Sequence, residues 1–118
     1  MRICISHAVE DRRSARSIGV LCAELGIDHR FDDRNDWLMR GLRQGDDDFS
    51  HLLVIVSRAT IGSWWVPFLV GRVEERGGQI LLFLADDGLE LSASLRGRPV
   101  YSSIDELRAG LDLREVQA

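Results

Sequence analysis

The chain has 118 residues and a mass of 13.3 kDa, the size of one compact domain, so residues 1–118 are expected to build a single core with one principal site or surface. With 45% hydrophobic and 29% charged residues and only 2 prolines, the composition excludes a disordered or collagen-like chain. The net charge is −4 and all 15 basic residues are arginine, which argues against a nucleic-acid backbone binder and removes chemistry that needs a lysine. P-loop nucleotide hydrolysis, Schiff-base catalysis and a phosphorylatable receiver site fall in that group.

The opening run Arg2 to Ser6 is short, apolar and β-branched, which predicts an interior strand. From Asp11 to Leu25 the apolar positions Ala15, Ile18, Cys22 and Leu25 recur at helical steps, and Gly26 stands where a helix would end. Ile27, His29 and Phe31 alternate with Asp28 and Arg30 as a second strand, running into the polar loop Asp32-Asp33-Arg34-Asn35-Asp36. Trp37 to Phe49 reads as a poor helix weakened by Gly41 and Gly45.

His51 to Ser57 is nearly all apolar over its middle, as suits a central parallel strand covered on both faces. Ser63 is placed to cap a helix from Trp64 to Arg76, with Pro67 in its first turn and Gly77-Gly78 ending it. Gln79 to Ala85 reads as another buried strand, Asp86-Asp87-Gly88 as a turn, and Arg98 to Tyr101 as a short edge strand. Ser103 to Leu113 reads as a last helix, in which Ser103 and Glu106 have capping-box spacing. Alternating strands and helices predict a small doubly wound α/β fold of about five parallel strands with helices on both faces. Ligands of such sheets sit beyond the carboxyl ends of the strands, here Ser6-His7, Asp32-Asp33, Ser57-Arg58 and Ala85-Asp86.

Cys4 and Cys22 have neither Cys-x-x-Cys spacing nor the density of a secreted scaffold, so they read as buried free thiols. The start of the chain lacks a signal-peptide core and no segment nears 18 apolar residues. The expectation is a cytoplasmic protein with no membrane partner and no nucleic-acid partner. His7, His29 and His51 share no ligand spacing, so no metal is expected. A triad from Ser57 or Ser6 with His7 and Asp33 lacks the Gly-x-Ser-x-Gly elbow. Asp46-Asp47-Asp48 and the Arg12, Arg13, Arg16 face read as solvated surface. Adjacent Trp64 and Trp65 point about 100° apart on a helix, so one is expected to pack inside and the other to face the ligand cleft, with Trp65 at the cleft border.

Taken in order, Ile5-Ser6-His7-Ala8 with Asp11, His51-Leu52-Leu53-Val54-Ile55-Val56-Ser57, Ser63-Trp64-Trp65-Val66-Pro67-Phe68 and the strand from Gly78 to Leu84 resemble a bacterial TIR (Toll/interleukin-receptor-like) domain over nearly the whole chain. That family includes enzymes that cleave the nicotinamide–ribose bond of NAD with a Glu four residues after a Trp on the third helix. Here that position holds Leu69 after Trp65, and Phe68 after Trp64. The resemblance therefore implies a signalling and self-association module without a catalytic residue or required cofactor. NAD is then a possible ligand or substrate near Ser6, His7, Asp33, Arg34, Trp65 and Leu69. The alternative it implies is an active NAD glycohydrolase or cyclase of prokaryotic immune signalling that uses another carboxylate. Self-association, or pairing with other TIR-like domains, is expected through Asp32 to Arg40, where Trp37 and Met39 lie in an acidic loop.

Overall fold

The computed structural model describes residues 1–33 and 49–117. Strand β1 (Arg2–His7) leads through a 3₁₀ turn (Val9–Asp11) into helix α1 (Arg12–Glu24) and strand β2 (Asp28–Asp33). Strand β3 (His51–Val56), helix α2 (Trp65–Glu75), strand β4 (Gln79–Leu84), strand β5 (Val100–Tyr101) and helix α3 (Ile104–Gln117) follow. The five strands form one sheet in the order β2-β1-β3-β4-β5, and every pairing is parallel. The α/β fold expected from the sequence is therefore present. The expected helix over Trp37 to Phe49 lies almost wholly outside the described residues.

Alternation along each strand divides the core in two, because successive side chains of a strand point to opposite sheet faces. Ile3, Ile5, Leu53, Ile55, Leu81 and Phe83 meet Ala15, Ile18, Leu21 and Cys22 of α1 and Leu107 and Leu111 of α3. Cys4, Leu52, Val54, Val56, Ile80 and Leu82 meet Trp65, Val66, Leu69, Val70 and Val73 of α2. The continuous apolar runs in β3 and β4 are explained by this double coverage.

Helix ends follow local chemistry, with one exception. Gly26 and Gly77 take φ of +70° and +79°, conformations that only glycine adopts cheaply, and so stop α1 and α2. At α3 the Ser103 hydroxyl accepts from the Glu106 N–H at 3.1 Å, while the Glu106 carboxylate reaches back to the Ser102 N–H at 2.7 Å. This is the expected capping exchange with its return bond one residue earlier. The exception is Ser63. It does not cap α2; its hydroxyl donates to the Ala59 carbonyl at 3.4 Å, and Trp64 takes the cap position without a side-chain bond. The Ser57–Ser63 turn is wound tightly enough to use that hydroxyl internally.

Candidate functional site

In a sheet of this order the chain leaves β1 toward one side and β3 toward the other, and the gap beyond their carboxyl ends is the expected ligand position. Here a side chain bridges that gap. The Ser57 hydroxyl donates to the Asp11 carboxylate at 2.5 Å and accepts from the Ala59 N–H at 3.1 Å, while the Ser57 N–H donates to Thr60 Oγ1 at 2.7 Å. Thr60 Oγ1 in turn lies 3.0 Å from the Ile55 carbonyl, and the Asp86 carboxylate accepts from the Arg58 N–H at 2.8 Å. These bonds satisfy the end of β3 and fasten it to the turn before α1 and to the end of β4. Ser57 is thus occupied by Asp11 and its own turn, and among the described residues no serine is bonded to His7, so the imagined triad is not assembled.

The residues expected to share one cleft are separated by the pleat. Ser6 continues the Cys4 side of β1, toward the α2 face, whereas His7 continues the Ile3 and Ile5 side, toward α1. The β1–β2 register sets Ser6 beside Asp32 and His7 beside Asp33. Arg34, with Trp37, Met39 and the rest of the expected interface up to Arg40, lies outside the described residues. Trp65 and Leu69 do stand one turn apart on α2, as their spacing predicts. Both are in the core: Leu69 is 0% exposed and Trp65 2%. Leu69 therefore closes the packing between α2 and the sheet, and the expectation that residue 69 lines an open cleft is corrected. Its neighbour Phe68 and the preceding Trp64 point outward, at 54% and 61% exposure. An open groove of about 620 Å³ runs beside Phe68 along Pro67, Gly71, Arg72, Glu75 and Arg76.

Glu74, a carboxylate on α2 five residues beyond Leu69, is engaged elsewhere. Arg98 donates to it through two nitrogens at 2.9 and 2.8 Å, tying α2 to the segment before β5. This guanidinium holds the Glu74 carboxyl below its usual range.

A group that the sequence reading did not assemble lies on the other face. His7, Arg12, Ala15, Arg16 and Phe31 line a groove of about 130 Å³ between α1 and the ends of β1 and β2. His7 is 6% exposed and its Nδ1 has no hydrogen-bond partner among the described residues. The Phe31 ring packs edge-on to His7, with centroids 6.3 Å apart, and to His29 at 5.4 Å. It can lie so close to α1 because Gly19 offers no Cβ, which would fall 2.4 Å from Phe31 Cζ. The available signal was the shared parity of His7 and Phe31 on paired strands, together with the i, i+4 spacing of Arg12 and Arg16.

At the opposite end of the sheet the Ser50 hydroxyl lies 2.7 Å from His51 Nδ1 and accepts from the Arg2 N–H at 3.1 Å. Burial, and then the charges of Arg114 and the N-terminus, push the His51 imidazole below its ordinary value. Among the described residues no group of three or more His, Cys, Asp or Glu side chains is placed to hold a metal, and no helix is long and apolar enough to cross a membrane.

No family model matches the chain, and no curated protein matches it. Solved structures do. A 3-dehydroquinate dehydratase-like protein from Bifidobacterium longum superposes with a TM-score of 0.65 at 14% identity, over 100% of this chain and 98% of that one. One chain of the complex of histidine kinase ThkA with response regulator protein TrrA superposes with a TM-score of 0.59 at 16% identity, covering 95% and 96%. At such identities the likeness is one of fold, the flavodoxin-like arrangement of a parallel sheet between helical layers.

Proposed function

We propose that this chain is a TIR-like signalling module that acts by associating with copies of itself or with similar domains, and that it does not hydrolyse NAD. The observation that carries the reading is on α2, where Trp64 and Phe68 lie one turn apart and exposed. Two large aromatic side chains in contact with water on one helix face are costly, and partners recover that cost. The family resemblance of the sequence supports the same reading, as does the fold. An NAD-type nucleotide would be bound and left intact at the carboxyl edge near Ser6 and Asp33. The enzymatic alternative needs a carboxylate that α2 lacks at position 69, and Glu74 is held by Arg98.

Light scattering across a concentration series tests the association. The chain is expected to grow in mass with concentration, and Trp64→Ser with Phe68→Ser to remain monomeric. Truncating a central aromatic typically costs about 2 kcal/mol or more at an interface, roughly thirtyfold in affinity. A mass that stays monomeric throughout would overturn the association. Nicotinamide release from NAD that scales with the protein and disappears in Glu74→Ala would overturn the non-enzymatic half.

A further inference from the structure

We infer that the groove of His7, Arg12, Ala15, Arg16 and Phe31 binds the phosphate group of a small phosphorylated ligand. Its volume of about 130 Å³ equals roughly four waters at their ~30 Å³ share of the liquid, room for one tetrahedral oxyanion with the rest of the molecule outside. Arg12 and Arg16 flank it from successive turns of α1, and among the described residues no carboxylate pairs with either. Two guanidiniums one turn apart repel each other. Arg12 also sits at the amino end of α1, where the helix dipole already disfavours positive charge. The first turn of α1 itself holds no acid; Glu10 and Asp11 precede it in the 3₁₀ turn, and Asp11, at the cap position, makes no capping bond and instead accepts from Ser57.

An anion in the groove reverses every one of these terms, since helix amino ends and arginine pairs both favour it. The buried His7 supplies the independent observation. Its buried Nδ1 has no hydrogen-bond partner among the described residues, a costly state that a ligand oxygen reaching it relieves when that nitrogen carries the proton. Phe31, at 40% exposure, places an aromatic surface at the mouth, so a phosphate joined to a flat ring gains stacking that free phosphate lacks. The site lies on the α1 face and is independent of association through α2 on the opposite face, so either can fail alone.

The test is calorimetric titration of the intact chain at constant ionic strength with inorganic phosphate, with adenosine monophosphate and with adenosine. Phosphate and the nucleotide are expected to saturate one site, and adenosine to leave it empty. Tighter binding of the nucleotide identifies a ring-bearing phosphate as the occupant, and equal affinity identifies free phosphate. Arg12→Gln and Arg16→Gln, both exposed substitutions that should leave the fold intact, are each expected to weaken binding about tenfold, the usual effect of losing one charge-assisted hydrogen bond. Arg13→Gln, outside the groove, is expected to change it by less than about twofold. Absence of saturation by phosphate and nucleotide alike would overturn the inference. So would adenosine binding as tightly as its monophosphate, or Arg13→Gln weakening binding as much as Arg16→Gln.

Discussion

Residue 69 separates a core position from a cleft position by thermodynamics. Leu69 is fully buried among Cys4, Leu52, Val54, Val70 and Val73, so Leu69→Ala should cost about 2–5 kcal/mol out of a total stability of roughly 5–15 kcal/mol. Leu69→Glu should cost more. A buried carboxyl escapes its charge by staying protonated, and holding a group of ordinary pKa ~4.3 neutral at pH 7 costs about 3.7 kcal/mol at ~1.36 kcal/mol per unit. Lost leucine burial adds about 2 kcal/mol, giving roughly 6 kcal/mol in all. The raised folded-state pKa also sets the sign of the pH effect. The folded variant binds more protons than the unfolded chain, so its stability rises as pH falls toward the ordinary glutamate range. Urea titrations of variant and wild type at pH 7 and pH 5 measure this, and the deficit relative to wild type should shrink by about 2.7 kcal/mol over those two units. A Leu69→Glu protein as stable as wild type, with no relative gain at pH 5, would refute the core assignment. If that variant also released nicotinamide from NAD while folded, residue 69 would belong to a catalytic cleft after all.

His51 should make the native state acid-sensitive. Its folded pKa lies below the ordinary value of 6.5, so the unfolded chain binds the proton first, and stability is full above about pH 6.5 and declines as pH falls through the folded pKa. Denaturant titrations from pH 7.5 downward should show that slope, and His51→Gln should flatten it; an unchanged slope would assign it to other groups. Burial pushes the Cys22 thiol up to about 11, and Cys4 is also free and buried, so a disulfide reagent at neutral pH should modify neither thiol until the protein is unfolded. Fast modification of the native chain would contradict that packing. A Cβ at position 110 would fall 2.4–2.6 Å from the Tyr101 ring, so Gly110→Ala should lower Tm despite alanine's helix advantage of about 1 kcal/mol. A higher Tm would show that the ring moves aside freely.

Periodicity alone carried the architecture. The apolar runs of β3 and β4, the three- and four-residue steps of α1 and the glycines that stop α1 and α2 are local signals, and local sterics and burial act on them the same way in any fold that covers both sheet faces. That Trp64 and Trp65 part company is legible for the same reason, because a 100° turn obliges one ring to leave the core that takes the other, but which of them packs was not: Trp65, expected at the cleft, is the buried one. The neighbourhoods of side chains at the strand ends were decided only by the tertiary structure. A helical spacing places Leu69 under Trp65 but is silent on whether that face meets water or the sheet, and docking of α2 onto Cys4, Leu52 and Val54 settled it. Ser6 and His7 are neighbours in sequence and were read as one site, yet the pleat sends them to opposite faces. Arg12, Arg16 and Phe31 looked like an ordinary solvated face and a strand residue. They meet His7 only because parallel pairing sets β2 beside β1 and the crossover returns α1 over both, a long-range arrangement that no window of the sequence contains.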